Sequence, residues 1–161
     1  MGVLNMGTSA VAIIESNGIN ISNILVSSDG YLDGFGELLL SVLKRKHVNG
    51  YSDDQNQYNR VGNFVALVVA KVILEHTEST KRINKMFNKP DIHDLSCGAV
   101  EIIPNKEKYS TDYTYRINFN CELHDPKPPM IMVESYDFKS GWMDISGFCD
   151  LIESGIPDDD E

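Results

Sequence analysis

Apolar residues recur along this chain in two rhythms, and the rhythm changes twice. Val11-Ala12-Ile13-Ile14 and Ile19, Ile21, Ile24-Leu25-Val26 read as two β-strands joined by Asn17-Gly18, a strong short signal for a hairpin turn. From residue 37 to 46 the spacing lengthens, and Leu38, Leu39, Val42 and Leu43 share one face at helical period. Residues 47–59 are polar and read as a loop. A second helix is predicted over 60–79, with 81–88 extending or following it and Pro90 stopping it. Val61, Phe64, Val65, Ala66, Leu67, Val68, Val69, Val72, Ile73 and Leu74 surround most of its circumference, so this helix is expected to be the most buried element.

The remainder returns to period two. Val100–Ile103 is a short strand ended by Pro104-Asn105, and Tyr113–Phe119 alternates cleanly as a half-buried strand should. Residues 130–136 are its expected antiparallel partner across the proline-rich connection 125–129. Asp144 or Ser146 is placed to cap a short helix carrying Ile145, Phe148, Leu151 and Ile152, with Gly155 and Pro157 ending it. The expected architecture is one α+β domain over residues 1–157, an antiparallel sheet packed against two main helices. An acidic tail, 158–161, follows it.

Composition sharpens this picture in one respect. The chain has 161 residues and a formal charge of −10, unevenly spread. Residues 1–90 carry nine basic and eight acidic side chains, whereas 91–161 carry five and sixteen, a net of −11. That balance disfavours direct binding to nucleic-acid phosphates or an anionic membrane and suits a basic partner. Three cysteines without a Cys-x₂-Cys pair, and no signal-like stretch at Met1 to Ala10, fit a reducing cytoplasm. The longest uninterrupted apolar run, 64–70, is too short to span a bilayer.

Candidate chemistry concentrates between the hairpin and the first helix. Ser27, Asp29, Gly30, Tyr31, Asp33, Gly34 and Gly36 crowd three glycines and two aspartates into a few residues. Such density signals a tight turn or a close backbone approach, with glycine's access to positive φ as one reason. Backbone amides at the start of the 37–46 helix lack helical partners and offer a ligand loop for an anion. The spacing matches neither a P-loop nor a dinucleotide fingerprint, and Asp29, Asp33 and Glu37 would repel a phosphate there. These three carboxylates are too few to specify a metal. Cys121 and His124 have zinc-like spacing, with Cys97, Cys149 or His93 as further ligands, but the paired cysteines of a zinc site are missing. No metal and no cofactor is therefore expected. His47, His76, His93 and His124 stand in unrelated contexts, and no nucleophile elbow is present. Lys81, Arg82, Lys85 and Lys89, with Lys44, Arg45 and Lys46, form a modest basic patch explained by helix C-terminal charge.

Met6-Gly7-Thr8-Ser9, the hairpin, and Ser27-Ser28-Asp29-Gly30-Tyr31-Leu32-Asp33-Gly34-Phe35-Gly36 together resemble a group of small tailed-bacteriophage proteins. In that group a Met-x-Thr-Arg start and a hairpin lead to a His-x-Asp-Gly-Tyr-x-x-Gly-x-Gly motif before a helix. The resemblance covers residues 6–43, with echoes at Asp112-Tyr113-Thr114-Tyr115 and Tyr136-Asp137-Phe138. Ser9 stands where the group has arginine and Ser27 where it has histidine, so chemistry relying on that histidine is not carried over. The resemblance implies a phage accessory protein working in the bacterial cytoplasm. With no competent catalytic cluster in the sequence, the expected function is non-catalytic binding of a host macromolecule, a protein engaged through its basic surface. Trp142, Phe148, Asp158, Asp159, Asp160 and Glu161 are the expected interface, since aromatic residues anchor interfaces and acidic ones meet basic surfaces. The alternative is a small-ligand or nucleotide-binding protein, or an enzyme, whose site is the loop from Asp29 to Gly36.

Overall fold

The computed structural model describes residues 7–44, 61–90, 99–104, 109–119, 121–122, 125–126 and 128–156. The expected loop 47–59, the ligand candidates Cys97, His93 and His124, and the tail Asp158, Asp159, Asp160 and Glu161 lie outside them. In chain order the strands are β1 (Ala10–Ser16), β2 (Ile19–Val26), β3 (Val100–Ile103), β4 (Tyr113–Phe119), the two-residue β5 (Cys121–Glu122) and β6 (Asp125–Pro126), and β7 (Met130–Ser135). A π-helical turn, Leu32–Gly36, runs directly into α1 (Glu37–Leu43). The helices α2 (Val61–Met86) and α3 (Ile145–Ser154) complete an α+β domain.

The five-stranded sheet has the order β3-β2-β1-β4-β7. Asn17 and Gly18 both take positive φ, 51° and 77°, which matches the two-residue turn that follows strand twist and returns β2 antiparallel to β1. The sheet is mixed rather than wholly antiparallel, because β1 pairs parallel with β4 from Ala10↔Tyr113 to Ser16↔Phe119. Both ends of that pair are clamped. Asp112 Oδ2 accepts from the Ser9 amide at 2.7 Å, and at the far end the Asn17 amide donates to the Phe119 carbonyl at 2.9 Å. β7 pairs antiparallel with β4 as the alternation predicted, and its outer edge is closed by a return of the chain: the Ile131 amide donates to Met143 O and the Val133 amide to Ser140 Oγ. Covering that edge removes a template for pairing with other chains.

Alternate residues of the central strands, Ala10, Ala12, Ile14, Tyr115, Ile117 and Phe119, face the helices. Leu39 and Leu43 of α1, Phe64 and Val68 of α2, and Phe148 of α3 close this core. Truncating a leucine here costs about 2–5 kcal/mol by lost transfer energy and an unfilled cavity. The other sheet face holds a smaller cluster, Val11, Ile13 and Ile103 with Leu25 packed against it. Beside it the Arg116 guanidinium pairs with Glu15 at 2.9 Å.

Two expectations need correction. The most buried element is β1, where Ala10 to Ile14 are at most 4 % exposed, because it is sandwiched within the sheet and covered on both faces. α2 lies against the domain by one stripe only, so Leu67 and Leu74 face solvent despite the helix's all-round apolar composition. Phe148, expected at an interface, is fully buried with its ring 6.3 Å from that of Tyr115. It belongs to the core because α3 turns that face onto the sheet. Asp144 does cap α3, accepting from the Gly147 amide at 2.8 Å, and Gly155 ends it at φ 76°.

Candidate binding site at the π-turn

The glycine-rich junction is held by its own backbone. Asp29 takes φ 55°, a left-handed conformation that aspartate tolerates, and its carbonyl accepts from the Phe35 amide at 2.7 Å. The Tyr31 carbonyl accepts from Gly34 and Gly36, and the Glu37 amide donates to the carbonyls of Leu32 and Gly34. The amides of Gly30, Gly34, Phe35, Gly36 and Glu37 are therefore already used by carbonyls of the chain itself. A phosphate arriving at these amides would meet occupied donors and several carboxylates, an arrangement unlike the open amides of an anion-binding helix start.

The glycines are needed for space rather than for positive φ. A Cβ on Gly30 would sit 2.7 Å from the Ser9 carbonyl carbon, and one on Gly34 only 2.4 Å from the Asp29 carbonyl oxygen. Gly36 is less constrained: its nearest neighbour would be the Tyr115 hydroxyl at 3.4 Å. Tyr115 is the post on which the junction rests. Its hydroxyl donates to the Gly30 carbonyl at 2.8 Å and its ring meets Phe35 edge-on at 5.6 Å. Burial, reinforced by Tyr113 and Asp33, pushes the Tyr115 phenol far above its ordinary range, so it stays a donor.

On one side of the turn lies a cleft of about 590 Å³ between the turn, α1 and α2. Asp29, Asp33 and Glu37 from the junction and Glu75 from α2 line it, and all four are exposed. Lys71 donates to Ser41 Oγ and lies 3.9 Å from Glu75, so its amino group is already engaged within the cleft. Val26, Leu38, Val72 and Ala99 supply apolar wall. Sequence reasoning missed Ser41, Lys71, Glu75 and His76 as members of this site. The i, i+4 spacing of Lys71 and Glu75 was visible, but nothing local says which face of α2 meets the turn.

On the other side, Tyr31 packs edge-on to Tyr113 at 6.1 Å, and Tyr113 stacks on Tyr115 at 6.2 Å. The Tyr113 phenol is raised by partial burial, then by Tyr31 and the carboxylates Asp137, Asp33 and Asp112. Those carboxylates come from three separate segments and all act on one phenol, so the local field is negative. Tyr31 is about half exposed and Tyr136, beside Asp137, is fully exposed. Among the expected site residues, Asp29, Tyr31, Asp33 and Gly34 therefore line the cleft together, and Gly30 and Gly36 lie buried behind them. Ser27 is exposed outside the cleft lining, its amide bonded to the Ala99 carbonyl at 3.2 Å. Trp142 stands about half exposed on the return beside β7.

Among the described residues no group of three or more His, Cys, Asp or Glu side chains is arranged to hold a metal ion. No helix among them is long and apolar enough to cross a membrane. No protein-family model, no curated protein and no solved structure matches this chain.

Proposed function

We propose that this is a non-catalytic binding protein that engages a basic surface of a host protein, as a phage accessory protein in the bacterial cytoplasm. The observation that carries the reading is the Tyr31–Tyr113 ring pair set among Asp33, Asp112 and Asp137. An arginine or lysine laid over an exposed tyrosine ring gains about 0.5–1 kcal/mol, more as water is excluded. Its nitrogens would then meet carboxylates from three segments, in charge-assisted bonds that are shorter and stronger than neutral ones. The excess of acidic residues over 91–161 would speed encounter with such a surface. The phage setting rests on the resemblance carried by residues 6–43.

The test is affinity capture from a bacterial host lysate, comparing the wild type with Tyr31→Ala, Asp137→Lys, Trp142→Ala and a chain lacking 158–161. A single host protein held by the wild type, released by moderate salt and lost with Tyr31→Ala and Asp137→Lys, is the expected result. Capture indifferent to both substitutions, or conversion of a nucleotide by the purified protein, would overturn the reading.

A further inference from the structure

Beyond Thr77 no residue of α2 is buried, yet its stripe of core-facing positions continues. Val72, His76, Ser79, Ile83 and Met86 follow one another at spacings of four and three, the seam of a helix that packs on another helix. The first half of that stripe covers the sheet. The second half runs past Ser79, the last α2 residue lining the cleft, by about 10 Å at 1.5 Å per residue, leaving Ile83, Met86 and Phe87 52 %, 77 % and 67 % exposed.

Charge tells what fits there. Arg82, Lys85 and Lys89 flank the exposed apolar residues, and none makes an ion pair among the described residues. One or two turns earlier on the same helix lies the cleft, whose Asp33 and Glu37 are likewise without ion pairs among the described residues and whose Glu75 is shared with Lys71. A basic apolar surface and an acidic, partly apolar cleft therefore sit side by side along one helix. Two such neighbouring patches of opposite sign become mutually complementary when a second copy is turned through a two-fold axis between them. The midpoint falls near Ser79, an exposed small residue that lets two helices approach closely.

We propose that the occupant of this overhanging face is a second copy of the chain, the two α2 ends packing antiparallel about a two-fold axis near Ser79. Ile83 and Met86 of each copy lie over the mouth of the other's cleft, which Leu38 and Val72 floor. Arg82 and Lys85 of each reach Glu37 and Glu75 of the other. This contact goes beyond the binding surface around Tyr113; Tyr31 and Asp33 border both, and the residues named in the contact are distinct from those of that surface.

The test is mass measurement by sedimentation or light scattering of the full chain at low and high salt. The wild type is expected at twice the chain mass of 18.0 kDa, weakening by about tenfold or more when salt rises well above physiological strength, as charge-steered contacts do. Met86→Asp is expected to give a folded single chain. The double variants Arg82→Glu/Lys85→Glu and Glu37→Lys/Glu75→Lys each oppose like charges and are expected to stay single alone. Mixed, they pair, because every charge then meets its opposite. All substituted positions are exposed, and a helical circular-dichroism signal confirms that each variant is folded. A wild type that remains a single chain at low salt, a mixture of the two double variants that gains no mass, or sedimentation of single chains with phosphatidylglycerol vesicles would each overturn the proposal.

Discussion

Replacing Gly34 by alanine isolates the central claim about the junction, that its glycines are required by backbone proximity. The added Cβ would lie 2.4 Å from the Asp29 carbonyl oxygen, whereas non-bonded atoms are comfortable at about 3.5 Å. The turn must therefore open by about 1 Å, and the same carbonyl holds the Phe35 amide at 2.7 Å. Leaving that buried amide poorly paired costs about 1–3 kcal/mol, and forced backbone displacement adds about 1–3 kcal/mol more. A total of about 2–6 kcal/mol lowers Tm by about 4–24 °C in a domain of this size, at about 2–4 °C per kcal/mol. Gly36→Ala is the internal control. Gly36 has helical dihedrals, φ −59° and ψ −49°, and its Cβ would make ordinary contact. It should be neutral or more stable by up to about 1 kcal/mol, since alanine restricts the unfolded chain and favours helix. Urea unfolding followed by far-ultraviolet circular dichroism measures both. If the two variants differ by less than about 0.5 kcal/mol, the size of ordinary surface effects, the close-approach reasoning is refuted.

Tyr115→Phe should cost about 1–3 kcal/mol, because the Gly30 carbonyl loses its 2.8 Å donor in a buried site, and chemical denaturation reads that loss directly. Asp144→Ala should cost about 1 kcal/mol by removing the cap on the Gly147 amide, with faster amide exchange confined to the first turn of α3. Tyr113 and Tyr115 have phenols raised in the folded state, so the native chain holds more protons than the unfolded one once pH exceeds the ordinary tyrosine value of about 10. Stability is therefore complete below that pH and falls as pH climbs above it. Tyrosinate absorbance should show both residues ionising late, and Tyr115→Phe should flatten the alkaline loss.

The elements that were legible in the sequence are those whose cause is local. Asn17-Gly18 specified a turn with two positive φ values, the alternation in Tyr113–Phe119 matched one buried and one partly open face, and Asp144 and Gly155 marked both ends of α3. The parallel pairing of β1 with β4 was not legible, because alternation encodes which face is buried and carries no information on a distant neighbour's direction. Nor was the half-exposed state of α2. Leu67, Leu74 and Met86 would be equally at home buried, and only the placement of the sheet decides. The glycine cluster drew attention to the correct segment for an incomplete reason. Positive φ there belongs to Asp29, and Gly30 and Gly34 are small because Ser9 and Asp29 press against them. At Gly34 that pressure is local, but at Gly30 it comes from Ser9, twenty-one residues earlier, which no local motif reports.

The parallel neighbour of β1 also sets a timetable for synthesis. Ala10 pairs with Tyr113 across roughly a hundred residues of chain, and a ribosome adding about 5–20 residues per second needs about 5–20 s to supply that partner. Through that interval the hairpin of β1 and β2 can form, but the inner edge of β1 carries a row of unanswered amides and carbonyls beside Val11, Ile13 and Ile14. Closing so long a loop is entropically slow once the partner arrives. Yield in a growing cell is thus governed by how well this nascent edge is shielded, by chaperones or by slow, cool expression, more than by the final stability of the sheet.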